Sequence, residues 1–232
     1  MTATADIFTP IHKAIRSMIY SLGGQLQTID FADRAATETL LAQVKVDFGS
    51  ALGSNCVLCL LHHHAGSEEW GLFGEASRFE PALITTALTE HHELEKRLMA
   101  ISASSADLLA VDEPGPRLVR GVALTREVND FMARYLTHMN WEETTLVPAM
   151  QKHFTNEQMF GMRAAIEKHM PRERFAAYLR WMLPSLNVAE LTEMFAGAKQ
   201  SAPPEMVQIL TGIAESMVDP SRWKAVTDAL RS

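Results

Sequence analysis

The amino-acid sequence predicts an all-α protein, an antiparallel up-down-up-down four-helix bundle followed by a C-terminal appendage of short helices. Three observations point there. Apolar residues recur at helical spacing along most of the chain. No convincing alternating Val/Ile/Thr/Tyr run bounded by turns marks a strand. The first four periodic stretches are long, and those after them are short. Composition agrees, since 232 residues with 47% hydrophobic and 21% charged describe a globular chain with a sizeable core. That balance excludes disorder, a collagen-like repeat and a small disulfide-stapled fold. Aromatics at 7% and 13 methionines lean towards helices.

The elements follow in order. Thr9-Pro10 reads as N-cap and first helical position. Ile11, Ile15, Met18, Ile19 and Leu22 then mark one face, and Gly23-Gly24 weakens the pattern near its end. A second pattern runs from about Ala35 to Glu75, with a break expected near Gly49–Gly53. A third follows Pro81 and carries Leu83, Leu88, Leu94 and Leu98. Residues 112–116 (Asp-Glu-Pro-Gly-Pro) read as a loop, and a fourth pattern covers roughly 117–152. Then come a capping box at Thr155…Gln158, a helix opened by Pro171 with Pro184 just past its end, and a second box at Asn187…Glu190. Pro203-Pro204 and Asp219-Pro220 open the last two helices. Residues 1–155 read as the bundle and residues 156–232 as a helical extension of unknown role.

Charge divides the chain the same way. Residues 1–155 hold 12 Lys+Arg against 19 Asp+Glu, which is the whole net charge of −7, and residues 156–232 hold 9 of each. The acidic balance disfavours nucleic acid, which needs a basic patch. No stretch of about 18 apolar residues is present to span a membrane. Two cysteines and a start, MTATADIFTP, without signal-peptide character fit a reducing cytoplasm.

Nine histidines, eight of them before residue 154, are the surplus that carries chemistry. His12 falls near the start of the first long helix, His64 late in the second, His91 early in the third and His138 late in the fourth. In an up-down-up-down bundle all four lie at one end. His64-Ala-Gly-Ser-Glu68 and His138-Met-Asn-Trp-Glu142 are both His-x-x-x-Glu, a spacing that puts both side chains on one helix face. Each is followed by a second acid, Glu69 and Glu143. The offset is 79 residues between His12 and His91 and 74 between Glu68 and Glu142, so the bundle reads as a tandem repeat. Two carboxylates buried among imidazoles need a counter-charge. A pair of metal ions supplies it, each ion taking two histidines, with Glu68 and Glu142 bridging. Mixed nitrogen and oxygen donors suit iron or manganese, with zinc a further choice.

The order His…His-x-x-x-Glu-Glu…His…His-x-x-x-Glu-Glu resembles the hemerythrin-like HHE cation-binding domains, over about residues 6–153. Phe73 and Val147-Pro148 echo the family's hydrophobic continuation after the acid pairs. The resemblance implies a non-haem di-iron centre in a four-helix bundle, with one iron held by His12 and His64, the other by His91 and His138, and Glu68 and Glu142 as bridges. It also implies a small ligand, namely dioxygen, peroxide or nitric oxide, bound for sensing, storage or stress response. This chain departs from the dioxygen carriers at Ala87, where they have a second histidine one turn before the third-helix ligand. It departs again in its four-residue rather than five-residue step from His138 to Glu142. One iron site is then a ligand short, filled by water or a nearby acid, or left open.

Other readings stand beside this one. The second is a di-iron enzyme, peroxidase-like or NO-reducing, although binding or sensing is favoured over catalysis. The third is a regulatory module whose metal only stabilises the bundle and whose C-terminal extension recruits a protein partner. His62, His63 and His92 lie round the helix from the ligand positions and read as rim residues. Glu69, Glu95 and Glu143 read either as solvated residues or as acids behind the ligands, one of which could complete the coordination. Cys56-Val-Leu-Cys59 reads as buried small hydrophobes, with redox or zinc chemistry as the other option. Tyr20 and Tyr135 read as packing residues that could also reach a bound oxygen species. His153 and His169 read as surface residues.

Overall fold

A computed structural model describes residues 6–44 and 55–231 of the chain. All regular structure among the described residues is helical. α1 (Thr9–Thr28) starts one residue sooner than expected. Asp6 Oδ1 accepts the N–H groups of Phe8 and Thr9, so Thr9 lies inside the helix and Asp6 satisfies its first free donors. Gly23-Gly24 does not end α1, which buries Ile15, Met18, Ile19, Leu22 and Leu26 along one face. The second pattern holds α2 (Arg34–Val44) and α3 (Val57–Glu68). The break expected near residues 49–53 lies outside the described residues. Cys56 caps α3, its Sγ accepting the Cys59 N–H at 3.1 Å.

α3 continues through a π-helical turn, Glu69–Phe73, into the short α4 (Gly74–Ala76). α5 spans Pro81–Leu109 and α6 spans Pro114–Trp141. α6 thus begins inside the stretch expected to be loop, because proline's fixed φ suits a first helical turn. A second π-helical turn, Glu142–Leu146, leads into α7 (Val147–Met150). Pro148 has no N–H to return to the carbonyl four residues back, which favours a wider turn here.

α1, α3, α5 and α6 contact one another in cyclic order. They enclose an apolar cluster that includes Ile15, Leu61, Leu94, Phe131 and Tyr135. A second cluster, with Phe8, Leu72, Phe73, Ala87 and Leu146, uses other turns of the same helical tracks. Between them along each track lie the histidines and acids.

The remaining helices are α8 (Asn156–His169), α9 (Arg172–Ser185), α10 (Val188–Ser201), α11 (Pro204–Met217) and α12 (Pro220–Ala229). Both capping boxes form, at Thr155/Gln158 and Asn187/Glu190. Pro184 is inside the last turn of α9 rather than past its end, and Arg222 donates to the carbonyls of Pro184 and Leu186 there. Leu179, Leu183, Leu191, Phe195 and Leu210 form a third cluster. α9 also packs along α1, and its Tyr178 enters the first cluster, donating its hydroxyl to Leu60 O. α8 packs on the first π-turn, where a Cβ at Gly71 would stand 2.2 Å from Ile166 Cγ1. No helix among the described residues is long and apolar enough to cross a membrane.

Candidate metal centre

Four helical tracks bring six side chains into one buried layer. α1 supplies His12, α3 supplies His64 and Glu68, and α5 supplies His91. His138 comes from α6, and Glu142 opens the π-turn that follows it. None is more than 7% exposed, and His12 and Glu142 are fully buried. The four-residue spacing holds each His–Glu pair on one face, with His64 Nε2 3.0 Å from Glu68 Oε1 and His138 Nε2 3.2 Å from Glu142 Oε1.

The carboxylates are oriented between the two histidine pairs. Glu68 turns Oε1 towards His64 and towards His12 Nε2 (3.8 Å), and Oε2 towards His91 Nε2 (3.5 Å). Glu142 turns Oε2 towards His12 Nε2 (3.4 Å), and Oε1 towards His138 and His91 (3.8 Å). The Nε2 atoms of His91 and His138 face each other at 2.9 Å. Two donor groups result, His12/His64/Glu68 and Glu68/His91/His138/Glu142, each with its ligand atoms within 4.8 Å of one another and sharing Glu68.

Both carboxylates, and Nε2 of His12 and of His64, are buried without a hydrogen bond among the described residues. Such atoms are costly unless something binds them. They converge, they are hard oxygens and imidazole nitrogens, and they could hold a metal ion.

The opposite ring nitrogens are engaged. Nδ1 of His12 lies 2.9 Å from Glu143 Oε1, Nδ1 of His91 2.9 Å from Glu69 Oε1, and Nδ1 of His138 2.7 Å from Glu90 Oε2. A carboxylate behind Nδ1 takes its N–H and leaves Nε2 as the coordinating atom. Glu69 and Glu143 each back a histidine of the other half of the repeat, which spacing along one helix cannot reveal. Glu90 carries no sequence signal of its own, being one acid among several on α5. Glu95 is half-buried and outside both donor groups.

Electrostatics follow from this packing. Burial alone would lower the imidazoles, but Glu143, Glu68 and Glu142 outweigh it at His12, holding it at about 9. Glu142 and Glu68 do the same at His91, held at about 10. His138 is raised against its own burial by Glu142. Burial would raise Glu68, and His64, His12 and His91 bring it well below the carboxylate range. At Glu142 burial and Glu68 act upwards, and His138 and His91 prevail downwards. Glu143 is set at about 2, since His12 and Arg16 overcome the burial that would raise it.

The flanking residues fall elsewhere. His62 and His63 are half-buried, His92 is exposed, and none joins a donor group. His63 is pushed down to about 4 by burial and by Arg174. His153 stacks on Phe79 and pairs with Glu80, and His169 stacks against Trp70. Cys56 and Cys59 are buried at the start of α3, outside both donor groups. Tyr20 is 63% exposed, whereas Tyr135 is buried and donates to Leu61 O at 2.9 Å. Ala87 is fully buried in the second apolar cluster and offers no donor. A cavity of about 280 Å³, lined by Asp6, Thr9, Glu143, Val147, Pro148 and Gln151, opens on the Glu143 side.

Comparison with protein-family models, with curated proteins and with solved structures gives no match to this chain.

Proposed function

We propose that the protein is a hemerythrin-like, dinuclear non-haem metal protein that binds a small ligand such as dioxygen, peroxide or nitric oxide. The observation that carries the reading is the pair of buried carboxylates without hydrogen bonds, each turning one oxygen to each histidine pair. His12 and His64 would hold one ion, His91 and His138 the other, and Glu68 and Glu142 would bridge. Iron is the favoured metal, with manganese and zinc also compatible with the donors. The bound ions supply positive charge for the buried acids and a Lewis-acid position for the ligand.

The chain's own residues define the rest. Glu143, Glu69 and Glu90 orient three of the imidazoles. Apolar side chains on both sides of the polar layer exclude water. Ala87, buried in the second apolar cluster, adds no donor beside His91, so an exogenous ligand would complete the coordination there. The order of clusters along the helices supports the antiparallel up-down-up-down reading. α1 and α5 run from the Phe8/Ala87 cluster towards the Ile15/Leu94 cluster, and α3 and α6 run the other way.

Elemental analysis with an ultraviolet-visible spectrum of protein from iron-replete cells tests the reading. Two iron atoms per chain with oxo-bridge charge-transfer bands are expected. Absence of bound metal, together with a His64→Ala variant of unchanged stability, would overturn it.

A further inference from the structure

The two halves of the centre differ in what stands behind their histidines. The offset that relates His12 to His91 relates Ile11 to Glu90, and the offset that relates His64 to His138 relates Glu69 to Glu143. Glu69 and Glu143 both survive in the repeat, each backing the first-helix histidine of the opposite half at 2.9 Å. Glu90, which backs His138 at 2.7 Å, has no counterpart. Ile11 occupies that place and packs against the apolar core. Among the described residues no carboxylate backs Nδ1 of His64.

The surviving pair also differs. Arg16 grips both oxygens of Glu143, at 2.8 and 2.9 Å. Neither Glu69 nor Glu90 pairs with a lysine or arginine among the described residues. A carboxylate behind Nδ1 strengthens Nε2 as a donor, and one already neutralised by a guanidinium does so less. His91 and His138 thus each have a full carboxylate behind them. His12 has a shared one and His64 has none.

We infer that the His91/His138 half takes up its metal ion first and holds it more tightly, with Glu69 and Glu90 as the positioning residues that set this order. The inference rests on the two-ion reading above. The His12/His64 half is then the one a chelator empties first, giving a one-ion form with His91 and His138 loaded.

The test is a titration of the metal-stripped full chain with Co(II), followed by calorimetry and by the visible ligand-field bands. Two resolved steps are expected. His64→Ala removes the weaker step and His91→Ala the tighter one. Glu90→Gln and Glu69→Gln each weaken the tighter step by roughly 10- to 100-fold and leave the weaker step in place. Their side chains are 41% and 42% exposed, so these variants keep the core intact. Glu90→Asp restores part of the affinity, which a purely structural role would not predict. Ile11→Glu, if it folds, tightens the weaker step. Two equal ions in one step, or a Glu90→Gln variant that alters only the weaker step or neither, would overturn the order while leaving the metal centre standing. No uptake of Co(II) by the wild-type chain would instead remove the metal reading itself.

Discussion

In the metal-free protein the imidazoles of His12 and His91 sit at about 9 and about 10, against an ordinary 6.5. Burial pulls them down, and the neighbouring carboxylates pull harder. At neutral pH both rings therefore carry a proton on the atoms a metal needs. Binding must displace it. Metal affinity should rise with pH and level off between about 9 and 10, with protons released on binding at pH 7. Competition titrations in buffers of different ionisation enthalpy measure this, and a pH-independent affinity would count against it. The stability of the metal-free chain should move oppositely. Both groups have folded values above their unfolded ones, so their contribution is full below about 6.5 and is lost as pH passes about 9 to 10. Denaturant melts of metal-stripped protein on either side of that window check the sign. At the same scale, Glu142→Gln removes one of the two carboxylates that face both histidine pairs. On the proposed two-ion reading it should cut bound metal to one ion per chain or fewer, read by elemental analysis.

At the scale of elements, Gly71 and Gly121 mark where a Cβ would strike a side chain of a neighbouring segment. On α6, a Cβ at Gly121 would fall 2.1 Å from the Phe31 ring, which is itself buried. Gly121→Ala should destabilise the fold by about 1–3 kcal/mol through overpacking, with metal content unchanged. Thr155→Ala removes half of a formed capping box and should cost α8 about 0.5–2 kcal/mol in a chemical-denaturation experiment. The two π-turns begin at or just after the inward-facing acids, at Glu69 and at Glu142. Their place in both halves shows the repeat in backbone form as well as in side chains. Only the second is followed by a proline, Pro148. Such turns concentrate at functional sites, because a widened turn re-aims the side chains around it.

For the whole molecule, the C-terminal helices are joined to the four central ones. Tyr178 reaches from α9 into the first cluster to hold Leu60 O, four residues before His64. Tyr178→Phe should lower stability by about 1 kcal/mol, measured by chemical denaturation. Chelation should destabilise the whole chain, by about 2.7 kcal/mol for each ion held at a free concentration 100 times its Kd. A calorimetric scan with and without chelator measures it, and coincident curves would mean that the metal contributes nothing to folding.

The sequence by itself determined the helical class, most helix starts and the two His-x-x-x-Glu pairs, because each is a local property. A capping box needs four neighbouring residues, and a His-x-x-x-Glu pair needs one turn. Tertiary structure decided what lies between helices. Glu143 behind His12, Glu69 behind His91 and Glu90 behind His138 join residues 131, 22 and 48 positions apart. Nothing in their own helices distinguishes them from solvated acids. Tyr178 entering the core and the meeting of side chains from four helical tracks in one layer are of the same kind. They depend on which helix faces meet, and that is set by how the apolar clusters pack above and below the polar layer.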